Sequence, residues 1–187
     1  MSIIQTHTGK FLDLFHPTPD MIDMEDIAHA LAHLCRFTGH TKRFYSVAEH
    51  CVRMVQWGLP GPAALRLMHD ATEAYIGDVS TPLRTLLPNY GVIELDIRNA
   101  IAERFGLERF HRRDCKEEVK EADRIMLAIE RRDLLGEINH AAWGELPTPP
   151  EMSTSGELMA IGDPWLPLEA KQRFLSIACA LRLGVIA

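Results

Sequence analysis

Apolar residues recur at helical spacing along most of the chain. Met24, Ile27, Leu31 and Leu34 predict a helix over about 24–36, with Asp23 as its N-cap and Asp26 three residues on. Ser46-Val47-Ala48-Glu49 is a capping box. The helix it opens carries Val47, Cys51, Val52 and Val55 as its stripe and ends near Gly58. Pro62 suits the first turn of the next helix, where Leu65, Leu67, Met68, Ala71, Ala74 and Ile76 read as core and Gly77 as C-cap. Ser80-Thr81-Pro82 opens a short helix through Leu86-Leu87, which Pro88 ends. Val92, Ile93, Leu95, Ile97, Ile101 and Phe105 mark another, capped by Gly106. Asp114 and Glu117 form a cap-like pair before a helix that runs to about Leu135, with Val119, Ala122, Ile125, Met126, Ile129 and Leu134 as its apolar positions. The last helix, about 167–183, holds Phe174, Leu175, Ile177, Ala178, Ala180 and Leu181.

Residues 3–14 alone read as strand-like, and the Thr8-Gly9 step there either turns a short β-hairpin or bends an irregular arm. His16 to Asp20 is a Pro-rich loop, and 37–45 is a polar loop headed by Arg36. Residues 137–166 show no period; a stretch that long is often functional or packed down as a lid. No internal repeat or linker appears. The pattern predicts an all-α single domain over 1–187, with six or seven helices.

At 187 residues the chain can bury a full hydrophobic core. Its apolar fraction of 47% and charged fraction of 25% are those of an ordinary globular protein. A net charge of −6 argues against a nucleic-acid polymer or an anionic membrane as partner. It leaves room for a small phosphorylated substrate, which needs only a few local cations. The four cysteines form no CxxC pair, so neither a zinc knuckle nor a disulfide framework is suggested, and a reducing cytoplasm is the simple reading. No signal peptide or membrane span is expected.

Polar groups interrupt this apolar pattern at a few places. His69 and Asp70 sit on the edge of a buried helix face, where an unpaired polar group is expensive. They could bond only each other, or they could bind a metal ion. Glu73 follows one turn on and would stand beside such an ion. His50 lies beside the stripe of the preceding helix, and Asp123 follows the core residue Ala122. His29 and His33 form an i, i+4 pair with a weaker claim to a ligand role. Two imidazoles and two carboxylates suit Mn²⁺, Co²⁺, Fe²⁺ or Zn²⁺ better than Ca²⁺, and leave positions for water and a phosphate oxygen.

The order of His50, His69-Asp70 and Asp123 resembles that of the HD-domain metal-dependent phosphohydrolases. The likeness is nearest to their 5′-deoxynucleotidase branch and its short bacterial and phage relatives. It rests on Ser46-Val47-Ala48-Glu49-His50, on HDATEAYIGDVSTPLR from His69 to Arg84, on Val119 to Asp123, and on the pair Arg36-Phe37. Together these cover about half of the chain. The resemblance implies an HD-domain helical bundle with its motif-bearing core at about 24–135. It implies that His50, His69, Asp70 and Asp123 hold a divalent ion (Mn, Co, Fe, Zn or Mg). It implies that Glu73 moves a proton beside the metal-bound water, and that Asp78 fixes the sugar or the water. Arg36 and Lys120 would hold phosphate, and Phe37 would stack on a base or sugar or simply pack. The expected reaction is hydrolysis of (deoxy)nucleoside 5′-monophosphates, with release of triphosphate from a dNTP as the alternative. A nucleotide-binding protein that has lost catalysis is a third reading. The partner would be a small nucleotide, and a homo-oligomer is left open. The N-terminal arm and the 137–166 stretch match nothing in that branch.

Overall fold

A computed structural model describes residues 2–108, 113–136 and 143–184. Strands β1 (Ile3–Gln5) and β2 (Phe11–Asp13) form an antiparallel hairpin with Ile4 opposite Leu12. A 3₁₀ turn at Pro19–Met21 leads into α1 (Met24–His33). There follow α2 (Val47–Gln56), α3 (Ala63–Met68), α4 (Glu73–Ile76), α5 (Thr81–Arg84), α6 (Tyr90–Phe105), α7 (Arg113–Leu134) and α8 (Pro167–Ala180). The chain is all-α with a small N-terminal hairpin, so the turn at Thr8-Gly9 is realised, with Gly9 at φ +87°. Among the described residues no helix is long and apolar enough to cross a membrane.

Helix α2 is the centre of the packing. Every residue from Val47 to Met54 is buried. On one side Val47, Ala48, Cys51 and Val52 join a core with α1, α3, α6 and α8. On the other side Met54 joins Tyr45, Trp57, Val119, Ala122, Met126, Ile129, Met159 and Ile161, a second core built with α7 and the segment before α8. Ser46 caps α2, its hydroxyl accepting from the Glu49 amide at 3.1 Å. The Glu49 carboxylate does not turn back to complete the capping box. It accepts from Arg53 Nε at 2.8 Å and from the Trp165 amide at 2.8 Å, fastening the segment before α8 onto α2. The Arg53 guanidinium in turn lies 4.6 Å from the Trp165 ring centroid.

Three expectations are corrected locally. Asp23 caps α1 by accepting from the Glu25 amide, but Asp26 is no part of the cap: its carboxylate takes the Thr8 amide (2.6 Å) and hydroxyl (2.8 Å) and docks the hairpin. The helix expected through His69 and Asp70 is broken into α3 and α4. Between them the amides of Ala71, Glu73 and Ala74 bond three residues back instead of four, which tightens the turn. The helix expected over 24–36 stops at His33, and the chain bridges Cys35 to Ser46.

Gly61, at φ +92°, brings the α2–α3 connection against α7. A Cβ built there would lie 2.9 Å from Val119 Cγ2 and 3.2 Å from its amide nitrogen. Val119 is one turn from Asp123, so this approach sets the height of α7. Gly61→Ala is expected to cost about 1–3 kcal/mol through left-handed strain and overlap, read as a lowered midpoint in urea unfolding with unchanged slope.

Candidate metal centre

Four side chains from three places converge. His50 comes from the buried face of α2, His69 and Asp70 from the tight turn after α3, and Asp123 from α7. His50 Nε2 lies 3.2 Å from His69 Nε2 and 3.3 Å from Asp123 Oδ1. His69 Nε2 lies 3.1 Å from Asp70 Oδ2 and 4.0 Å from Asp123 Oδ1. Ligand atoms held about 2.1 Å from one ion stand roughly 3.0–3.4 Å apart, so most of these spacings are those of a metal shell. Neighbours on a regular helix point about 100° apart. The tightened turn is what draws Asp70 to His69.

The tautomers support the same reading. His50 Nδ1 donates to Glu130 Oε1 at 2.6 Å, and both groups are fully buried. His69 Nδ1 donates to the Arg66 carbonyl at 2.8 Å. Both Nε2 atoms then carry lone pairs, and two lone pairs 3.2 Å apart repel unless a cation or a proton lies between them. Cys51, His69 and Asp70 form a second cluster within metal-binding reach. It would use the other side of the His69 ring, where Sγ sits 3.8 Å from Nδ1, and that nitrogen is already committed to a backbone carbonyl. His50, His69 and Asp123 offer ligand atoms within 4.8 Å of one another, with Asp70 Oδ2 alongside at 3.1 Å from His69 Nε2 and 3.8 Å from His50 Nε2, so this is the better cradle and can hold a metal ion.

Electrostatics agree. Burial would keep both histidines neutral. Asp70 outweighs burial at His69, and Glu130 with Asp123 outweighs burial and Arg36 at His50, so both pKa values are raised. Burial would raise Asp70 and Asp123, but His69 holds the first well below the usual carboxylate range and His50 lowers the second. The cluster draws positive charge inward.

The cluster opens on a cavity of about 650 Å³. Asp70 and Asp123 line it together with Glu73, Asp78, Arg36, Phe37, Arg84, Leu127 and Trp143. Glu73 is pushed up to about 9 by burial and by Asp70 and Asp78, and one of its oxygens is buried without a partner. Asp78 is raised by burial. Arg36 reaches Asp70 (3.4 Å) and Glu130 (3.2 Å), and its Nε is buried without a hydrogen bond. Arg84 is ion-paired to Glu94. Lys120 is exposed and is not among the residues lining the cavity. His29 and His33 are not part of the cluster; His29 stacks on His33 and on His7.

Sequence reasoning missed Glu130 and Trp143. Glu130 had a legible signal, a carboxylate two turns past Asp123 amid the apolar stripe of α7. Trp143 had none, because it lies in a stretch without period.

Fold and site together define an all-α protein with a partly buried His/Asp cluster able to hold a metal ion. No family model matches the chain. YfdR of Escherichia coli, an uncharacterized protein, is 46% identical over 134 residues, which cover 72% of this chain and 73% of YfdR. An uncharacterized protein of Rhodobacter capsulatus is 35% identical over 145 residues, covering 69% of this chain and 71% of its own. The chain belongs to the family of these two proteins.

Two predictions follow from the geometry. Glu130→Gln should weaken Mn²⁺ or Zn²⁺ affinity by about 10–100-fold in equilibrium titration, because His50 loses the carboxylate that fixes its tautomer. In protein stripped of metal, the Glu73 carboxyl stays protonated when folded but ionises above about 4.5 when unfolded. Its contribution to stability is complete below that value and is lost as pH rises toward about 9. Glu73→Gln should therefore gain in Tm over the metal-free parent as pH is raised from about 5 to 9, with the gap smallest at the acid end.

Proposed function

We propose that this protein is a metal-dependent phosphohydrolase of the HD-domain type that hydrolyses (deoxy)nucleoside 5′-monophosphates to nucleoside and phosphate. The observation that carries the reading is the charge of the cavity. Four carboxylates line it, and the two arginines that reach it are already paired with carboxylates. A phosphate dianion entering here needs a cation in the His50, His69, Asp70 and Asp123 cradle. A triphosphate would need still more positive charge than the lining supplies, which favours a monophosphate.

The mixed nitrogen and oxygen donors suit Mn²⁺, Co²⁺, Fe²⁺ or Zn²⁺, with Mg²⁺ a weaker match. Such an ion, when bound, supplies phosphate charge neutralisation and a water of lowered pKa. The chain's own residues do the rest. Glu73 lines the cavity beside Asp70 with one oxygen buried and unpartnered, and it handles the proton, either as base toward the metal-bound water or as donor to the leaving sugar oxygen. Asp78 lines the same cavity and orients the sugar hydroxyl. Arg36, anchored by Asp70 and Glu130, presents its remaining donor capacity to a phosphate oxygen. The four cysteines are free thiols, which suits activity in the cytoplasm.

The test is product identity, with dAMP and dATP offered separately in Mn²⁺ or Co²⁺. Inorganic phosphate from dAMP is expected. Intact triphosphate from dATP with dAMP untouched would overturn the substrate assignment, and no product from either would overturn the hydrolase reading. Glu73→Gln should retain metal while lowering kcat by about 10²-fold or more.

A further inference from the structure

The cavity has two kinds of lining. Asp78, Ser80, Thr81 and Thr85 offer polar groups to it. Phe37, Leu127 and Trp143 offer it apolar surface. Leu127 lies one turn past Asp123 on α7, so the apolar surface begins beside the metal cradle. Both aromatic residues are half-buried, in a cavity whose other lining is largely charged or polar. Their ring centroids are 6.2 Å apart and the planes are tilted by 58°. Rings in that relation make a corner, not a parallel clamp. A planar ring can lie on one face and meet the edge of the other.

The backbone at Phe37 is strained. Phe37 (φ 55°, ψ 32°) and Thr38 (φ 53°, ψ 28°) are consecutive non-glycine residues in the left-handed region. Such residues persist where surrounding structure holds them, and they collect at ligand sites. Here the Arg36 amide donates to the Tyr45 carbonyl at 2.9 Å and the His40 amide to the Phe37 carbonyl at 3.0 Å. The Arg36 side chain is tied to Asp70 and Glu130, and its guanidinium lies 5.5 Å from the Phe37 ring centroid. The strained turn thus carries one residue into the metal cluster and its neighbour into the apolar lining.

We propose that Phe37, Leu127 and Trp143 form a stacking subsite for the nucleobase of the substrate, with Trp143 its specificity-determining residue. The inference rests on the nucleotide reading above. A base held against these residues leaves the phosphate to the cradle that Asp123, one turn before Leu127, helps to form. Stacking tolerates any base in proportion to its π-face, so the subsite favours purines over pyrimidines without reading base edges.

Binding and turnover test it separately. Deoxyadenosine, which has no phosphate, is titrated calorimetrically into chelator-treated protein, parent and variants. The parent should bind it saturably. Trp143→Ala should bind about ten-fold or more weakly, the scale of one lost base–aromatic contact, and Trp143→Phe should restore most of the affinity. Thermal melts that match the parent confirm that the variants are folded. In turnover, the ratio of kcat/KM for dAMP to that for deoxyribose 5-phosphate should fall about ten-fold or more in Trp143→Ala. No saturable binding of deoxyadenosine by the parent, or equal binding by Trp143→Ala, overturns the subsite. Absence of phosphate release from both substrates in the metal-loaded parent overturns the hydrolase reading instead, and the binding arm still decides the subsite.

Discussion

Two imidazole nitrogens face each other at 3.2 Å, each with its other nitrogen already spent as a donor. This is the constraint on which the rest of the structure turns. The arrangement costs energy unless positive charge sits between the rings, and Asp70 and Asp123 stand where they would share that charge. It also costs energy to bury Glu130, a carboxylate with no exposure. Hydrogen bonds and opposite charge offset that cost. His50 donates to one Glu130 oxygen, while Arg36 lies 3.2 Å from the other as an ion pair without hydrogen-bond geometry, so a single buried carboxylate, only half satisfied by hydrogen bonds, ties the α1–α2 connection to α2 and α7.

The two cores make this possible. A helix buried all round must present polar groups only where partners meet them, and α2 does so in two places. Glu49 meets Arg53 and the Trp165 amide, and His50 meets Glu130 and the cluster. Because α2 lies between the cores, α3 reaches it from one and α7 from the other, and the metal cradle forms along the seam. The close approach at Gly61 brings α7 within reach of the α3 side.

The cavity then divides its labour by charge. Its four carboxylates attract cations and would repel a bare phosphate. The apolar surface of Phe37, Leu127 and Trp143 offers affinity that does not depend on charge. Glu73 lies in the cavity, and in the metal-free protein burial and its carboxylate neighbours raise its pKa. Each feature is a consequence of which side chains were desolvated together.

The helices around the site were legible from local pattern, because an amphipathic stripe and a cap are short-range properties. Ser46 as N-cap and Gly106 as C-cap stand where the sequence puts them. The candidate ligands were legible because a histidine or carboxylate on a buried face must have a partner. Long-range choices were not. Nothing local says that Asp26 leaves its own helix cap for Thr8, or that the helix through His69 tightens so that Asp70 can close on the ring. Glu130 was legible as a carboxylate amid the apolar stripe of α7, but not its partner, His50, eighty residues earlier in the chain. Trp143 lies in a stretch without period, and only the packed chain brings it to Phe37. Sequence alone determined which side chains need partners, since burial and helical spacing follow from neighbours a few positions away. Tertiary structure alone decided which partners they found, because those contacts depend on how distant segments meet.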